Sequence, residues 1–113
     1  MKLSEARRFA LSLPEATEEP HFEKSSFRVR GKIFATVPEG GRHLNVFVDE
    51  HEVRASVAEA PQVFEELWWG KKLSGVRVTL AGADTGRVRE LLEEAWRRKA
   101  PKRLVEALDG GRG

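Results

Sequence analysis

The stretch Ser26-Phe27-Arg28-Val29-Arg30-Gly31-Lys32-Ile33-Phe34-Ala35-Thr36-Val37 sets the fold. Phe27 and Val29 alternate onto one face of an extended segment. Ile33 to Val37 is a second β-branched and aromatic run, and Arg30-Gly31-Lys32 between the two is a short turn. Two such runs around a glycine-containing turn predict a β-hairpin. Downstream, Pro38-Glu39-Gly40-Gly41 is a second turn, and Leu44, Val46 and Val48 alternate in a third strand, which extends the hairpin into a meander. Upstream, Leu3, Ala6, Ala10 and Leu13 follow the helical period, with Arg7 and Arg8 outside it, and Pro14 stops the helix. Residues 14–24 contain Pro14, Pro20 and four glutamates and read as a polar connection.

Beyond the meander, Asp49 and Glu52 have N-cap and N3 spacing, so a helix begins there and ends before Pro61. Residues 61–69 read two ways. Val63, Phe64, Leu67 and Trp68 fit a helical face, yet the segment is also short and aromatic enough for a strand. Val76-Arg77-Val78-Thr79-Leu80 alternates cleanly with Val76, Val78 and Leu80 inward. Asp84 caps a long helix whose apolar stripe is Val88, Leu91, Leu92, Ala95 and Trp96. Pro101 interrupts it, Leu104, Val105 and Leu108 form a short last helix, and residues 109–113 read as a frayed tail. Phe9 or Ala10, Phe27, Val29, Phe34, Val46, Val78, Leu91 and Leu92 are expected to share one core. With no repeat and no interdomain linker, residues 1–113 read as a single domain.

A chain of 113 residues should bury about two-thirds of its unfolded surface and can fold without disulfides or a structural metal. Hydrophobic residues at 40% and charged residues at 34% suit a globular protein rather than a disordered one. No apolar run approaches the roughly 18 residues of a membrane span, and the first residues have no signal-peptide apolar region. The absence of cysteine excludes disulfides, thiolate catalysis and Cys-based zinc sites. Many charges, few amides and more Arg than Lys fit a heat-adapted, cytoplasmic protein.

Catalytic signatures are missing. There is no GxGxxG after a strand, no GxxxxGK[ST] and no GxSxG. His21, His43 and His51 match no zinc spacing, so they read as ordinary imidazoles, and no metal or other cofactor is expected. Glu15, Glu18, Glu19 and Glu23 lack the Asp and Asn oxygens and glycine turn of a hard-cation loop and read as solvated.

The cations say more. With 20 Lys+Arg against 18 Asp+Glu the net charge is only +2, so any field is local. Arg28, Arg30 and Lys32 surround the first hairpin turn. Lys71 and Lys72 occupy a connection from Gly70 to Gly75, with Arg77 just beyond. Arg97, Arg98, Lys99, Lys102 and Arg103 close the long helix and start the last one. Basic side chains at a helix C-terminus offset the macrodipole, but five exceed that need. Trp68 and Trp69 are adjacent, and neighbours in a strand face opposite sides. The simpler reading packs one indole in the core and the other under a loop; the alternative is a stacking platform or interface anchor.

In order and spacing, these segments resemble the MmcQ/YjbR-like family of small bacterial proteins. The residues that carry the resemblance are Leu11-Ser12-Leu13-Pro14-Glu15-Ala16, Glu19-Pro20-His21-Phe22, Phe27 to Thr36, Leu91-Leu92, Ala95-Trp96-Arg97 and Ala100-Pro101-Lys102-Arg103-Leu104, spanning roughly residues 3–108. The resemblance implies an α+β fold, a single antiparallel sheet covered by helices in the order α-β-β-β-α-β-β-α, with a strand around Phe64–Trp68. It also implies DNA binding through two hairpin wings, here Arg30-Gly31-Lys32 and Gly70-Lys71-Lys72. Two departures stand out. Asn45-Val46-Phe47-Val48 occupies a third strand where the family often has a lysine, and Trp68 and Trp69 stand in for a tryptophan expected nearer Gly75-Val76.

The leading functional expectation is a non-enzymatic protein that meets DNA phosphates weakly through Arg28, Arg30, Lys32, Lys71, Lys72 and Arg77, helped by Arg97, Arg98, Lys102 and Arg103. The alternative is a protein-interaction module of the secretion-chaperone kind, homodimeric, anchored by Trp68 or Trp69. An enzyme built on His21 and neighbouring acids ranks last.

Overall fold

The computed structural model describes residues 1–21 and 24–111, with His21 described by its backbone. Helix α1 (Leu3–Ser12) is followed by strands β1 (Ala16–His21), β2 (Lys24–Val29), β3 (Lys32–Val37) and β4 (His43–Val46). Helix α2 (Glu50–Glu59), strands β5 (Phe64–Trp69) and β6 (Lys72–Thr79), and helices α3 (Thr85–Lys99) and α4 (Lys102–Gly111) complete the chain. All neighbouring strands are antiparallel, in the order β1-β2-β3-β4-β6-β5. The α+β class and the order of α1, β2–β4, α2, β5, β6 and α3 are as expected, and the segment 61–69 resolves to a strand.

One segment departs from expectation. Residues 16–21 form an edge strand rather than a polar connection, and they pair with the whole of β2 from Ala16↔Val29 to His21↔Lys24. Pro20 is tolerated there because an edge strand leaves one row of N–H groups unpaired. The glutamates that make the segment look like a solvated loop are ion-pair partners instead. Glu18 accepts from Arg7 of α1 at 2.8 Å and from Ser25 at 2.6 Å, and Glu15 is bidentate with Arg30 at 2.6 and 3.1 Å. Glu23 lies outside the described residues. At the other end, α4 continues through Asp109, Gly110 and Gly111, which the composition had assigned to the tail.

The helices share one face of the sheet. Phe27, Ala35, Leu44, Val46, Val76, Val78 and Phe64 point toward them, and α3 contributes Val88, Leu91, Leu92, Ala95 and Trp96, all buried. Every residue of the expected core is fully buried, with Ala10 in place of the half-buried Phe9. The caps are as expected: Asp49 accepts from Glu52 N, and Asp84 accepts from Arg87 N, each at 2.9 Å. Arg87 then clamps α3 to α2 by donating to Glu59 at 2.9 Å, to Glu52 at 3.3 Å and to the buried Ser56 hydroxyl at 2.9 Å. The buried Trp96 indole satisfies its N–H on Pro14 O at 3.1 Å.

Strand direction alternates across the sheet, so the β2–β3 turn and the β5–β6 turn emerge at the same end, flanking the end of β4. The second turn is only Gly70-Lys71. Lys72 to Gly75, read from the sequence as part of the connection, already belongs to β6. Gly75 is there for space. A Cβ at this position would lie 2.3 Å from Val46 O and 3.1 Å from Phe47 Cα, both backbone atoms that cannot yield.

Two substitutions test this packing by chemical denaturation. Leu92→Ala should cost about 2–5 kcal/mol, as a fully buried leucine does. Gly75→Ala should cost about 1–3 kcal/mol through overpacking although it adds a single methyl. A loss near zero at Leu92 would mean α3 docks through another face.

Candidate functional site

Among the described residues no helix packs over the second face of the sheet. Alternation places Ser26, Arg28, Thr36, His43, Asn45, Arg77 and Glu65 there. Toward the end bearing the two turns it opens into a groove of about 440 Å³. Its apolar lining is Ile33, Phe47, Leu67, Trp68, Trp69 and Leu73, its neutral polar lining Thr36, Asn45 and Ser74, and its charged lining Lys24, Lys72, Arg98 and Lys99. Among the described residues no carboxylate and no imidazole lines it.

Trp68 and Trp69 both line the groove, and both are exposed, Trp68 at 48% and Trp69 at 82%. Beside them the strand pairing slips: Leu67 pairs with Gly75 but Trp68 pairs with Leu73, which leaves Ser74 of β6 as the extra residue of a bulge. The expectation that one would be core fails; the tryptophan of the core is Trp96. Trp68 is steadied by donating its indole N–H to Glu66 at 3.3 Å.

The expected basic residues separate into two groups. Lys72 and Arg98 enter the groove, where Arg98 donates to Phe47 O at 2.9 Å. Lys71 sits beside it on the turn, and Lys32 starts β3; among the described residues neither has an ion-pair partner. The others are neutralised locally. Arg28 faces Glu19 at 3.8 Å, and Arg77 lies 3.6 Å from Glu65 and 3.3 Å from His43 Nδ1. Arg97 is bidentate with Asp109 at 2.6 and 3.2 Å, and Lys102 is 3.9 Å from Glu106. Arg103 is exposed on α4 and adds a favourable charge near Glu15. The three basic clusters therefore do not merge into one positive surface.

Sequence reading missed Lys24 and Phe47 as groove residues and took Lys99 for a helix-end charge. The signal was present for the first two. Two-residue alternation from Phe27 puts Lys24 opposite the core, and alternation from Val46 does the same for Phe47. Among the described residues no group of three or more His, Asp or Glu side chains could hold a metal ion. The His21 side chain lies outside the described residues.

Two carboxylates are shifted. At Glu18 burial acts to raise the pKa, but hydrogen bonds from Arg7 and Ser25 and the Arg7 charge outweigh it and hold the group below its ordinary 4.5. The Arg30 hydrogen bonds do the same for Glu15.

These features define a class: a small α+β protein with one face of its sheet packed under helices and the other open around a cationic, aromatic groove. The chain belongs to the YjbR family, whose model matches residues 11–98. A similar fold is seen in the crystal structure of the Deinococcus radiodurans protein DR2400, of family-model domain DUF419. Its TM-score is 0.72 at 21% identity, covering 84% of this chain and 75% of that one. No curated protein matches the chain. Among the described residues no helix is long and apolar enough to cross a membrane.

The lowered carboxylates set an acid dependence. A group whose folded pKa is depressed stabilises the fold fully above its ordinary value, and this is lost as pH falls through the folded one. Hydrogen exchange should therefore show β1 amides losing protection below pH 4.5, ahead of β4 and β6. Glu18→Gln should remove much of this pH dependence. Unchanged β1 protection down to pH 2 would contradict the assignment.

Proposed function

We propose that this chain binds nucleic acid through the open sheet face, contacting the phosphate backbone without catalysis. The observation that carries the reading is the groove lining: Lys24, Lys72, Arg98 and Lys99 line it together, with no carboxylate among the described lining residues. In a protein of net charge +2, four cations in one concave site form a local anion-binding field. Glu65 and Glu66, the nearest acids on β5, are turned to Arg77 and Arg54, each at 3.6 Å, which limits their repulsion of a phosphate.

A second reading, an interface for another protein or a second copy, is favoured by β5. It is an edge strand with one side unpaired, and Trp69 on it is 82% exposed. Under that reading the chain would sediment as a dimer in the absence of nucleic acid.

Counterion release makes the first reading quantitative. If four groove cations meet phosphates, log affinity against log salt should have a slope of about −3.6 on duplex DNA or about −2.8 on a single strand. The dissociation constant should be about 10⁻⁴–10⁻⁶ M at physiological salt. Lys24→Ala and Lys72→Ala should each flatten the slope by about one unit. The double substitution Glu15→Gln with Arg30→Gln removes a pair already neutralised and should leave it unchanged. No binding of either DNA form at low salt, measured by fluorescence anisotropy, would overturn the reading.

A further inference from the structure

We infer that the groove takes a single strand of nucleic acid, its unpaired bases stacking on Trp68 and Trp69 while Lys24, Lys72, Arg98 and Lys99 hold the phosphates. This deepens the nucleic-acid reading above and rests on it.

Three observations favour a single strand over a duplex. First, the exposed aromatic surface is of a kind that a duplex cannot use. Base faces in a duplex are stacked on one another, whereas those of a single strand are free, and aromatic platforms beside a cationic groove are how such strands are held. Trp68 and Trp69 are both exposed and both line the groove. Second, more cations stand in the concavity than on the turns. A duplex would meet the protruding turns first, but on the β2–β3 turn Arg30 is already bidentate with Glu15, and among the described residues only Lys71 and Lys32 of the two turns lie outside the groove without an ion-pair partner, against four cations lining it. Third, phosphates alone would leave the floor uncovered. Ile33, Phe47, Leu67 and Leu73 provide apolar surface that a base can cover and a phosphate cannot. At about 440 Å³ the groove is the size of a small-molecule pocket, suited to a base or two while the rest of the strand runs past.

Asn45 and Thr36 supply the polar part of that floor. Asn45 Nδ2 donates to the Thr36 hydroxyl at 3.3 Å, and its buried Oδ1 has no hydrogen-bond partner among the described residues.

The test uses the whole chain and four probes at low salt: a twelve-residue oligothymidylate, an oligoadenylate of the same length, the duplex of the two, and inorganic polyphosphate of matched charge. Anisotropy gives affinity for the nucleic acids, competition gives it for polyphosphate, and intrinsic fluorescence reports on the two exposed indoles, with Trp96 fully buried as an internal reference. The single strands should bind at least tenfold tighter than the duplex and quench the emission. Trp68→Ala and Trp69→Ala should each weaken the single strand by roughly 5- to 150-fold, the range for loss of one stacked base, with duplex affinity changed less than twofold. Trp68→Phe and Trp69→Phe should restore most of the loss, and because both side chains are exposed all four variants should melt with the wild type. Duplex binding equal to or tighter than single-strand binding, with the tryptophan variants neutral, overturns this inference and leaves the nucleic-acid reading standing. Polyphosphate competing as well as oligothymidylate, without quenching, also overturns it. No binding of any nucleic-acid probe overturns both.

Discussion

The apolar stripe of α3 packs on β3 and its neighbours from one side only, and the rest of the molecule follows from that asymmetry. Leu91, Leu92, Ala95 and Trp96 lie against a layer in which the Phe27 and Phe34 rings are 6.4 Å apart and tilted by 37°. Burying the large side chains of β2, β3, β4 and β6 on this face supplies most of the apolar burial available to a domain of 113 residues. The opposite face is then free of the demand for close packing. It can present cations, hydroxyls, an amide and two indoles, which a packed face would have to pair or exclude.

That freedom becomes a groove through a local event in the sheet. Gly75 lets β6 approach the Val46–Phe47 backbone, and Ser74 drops out of register beside it. Trp68 and Trp69 line the groove beside this slip, while α3 brings Arg98 and Lys99 to it at its C-terminal end. Helix-end cations that offset the α3 macrodipole thus also supply half of the groove's positive charge. Among the described residues, Arg28, Arg30, Arg77, Arg87 and Arg97 are held in ion pairs, so their charge is neutralised away from the groove.

Where a segment's local pattern and its tertiary role agreed, the sequence was readable. Phe27 and Val29, the Asp49 and Asp84 caps, and the stripe from Val88 to Trp96 all did in the structure what their spacing required. Ala16 to His21 was misread because its glutamates and proline describe a loop by composition. Only the partners, Arg7, Ser25 and Arg30 from three other segments, make a charged strand stable there. The site was legible in part. Lys72, Arg98 and the two tryptophans could be singled out by residue type. Their convergence could not, because it depends on how the strands pair and on where α3 ends over the sheet, neither of which has a local signature. Arg28 and Arg30 looked equally promising in the sequence, and their carboxylate partners lie 9 and 15 residues away in the chain.

The central claim is that the open face, and not the helical one, meets the ligand. Amide and indole chemical shifts of the labelled protein, followed while oligothymidylate is added, test it most directly. The account predicts that the indole N–H signals of Trp68 and Trp69 and the amides of Asn45, Phe47, Lys72 and Leu73 move together, with the buried Trp96 indole and the amides of α1 and α2 unmoved. Shifts concentrated on α1, α2 or α4, with the Trp68 and Trp69 indoles still, would contradict it.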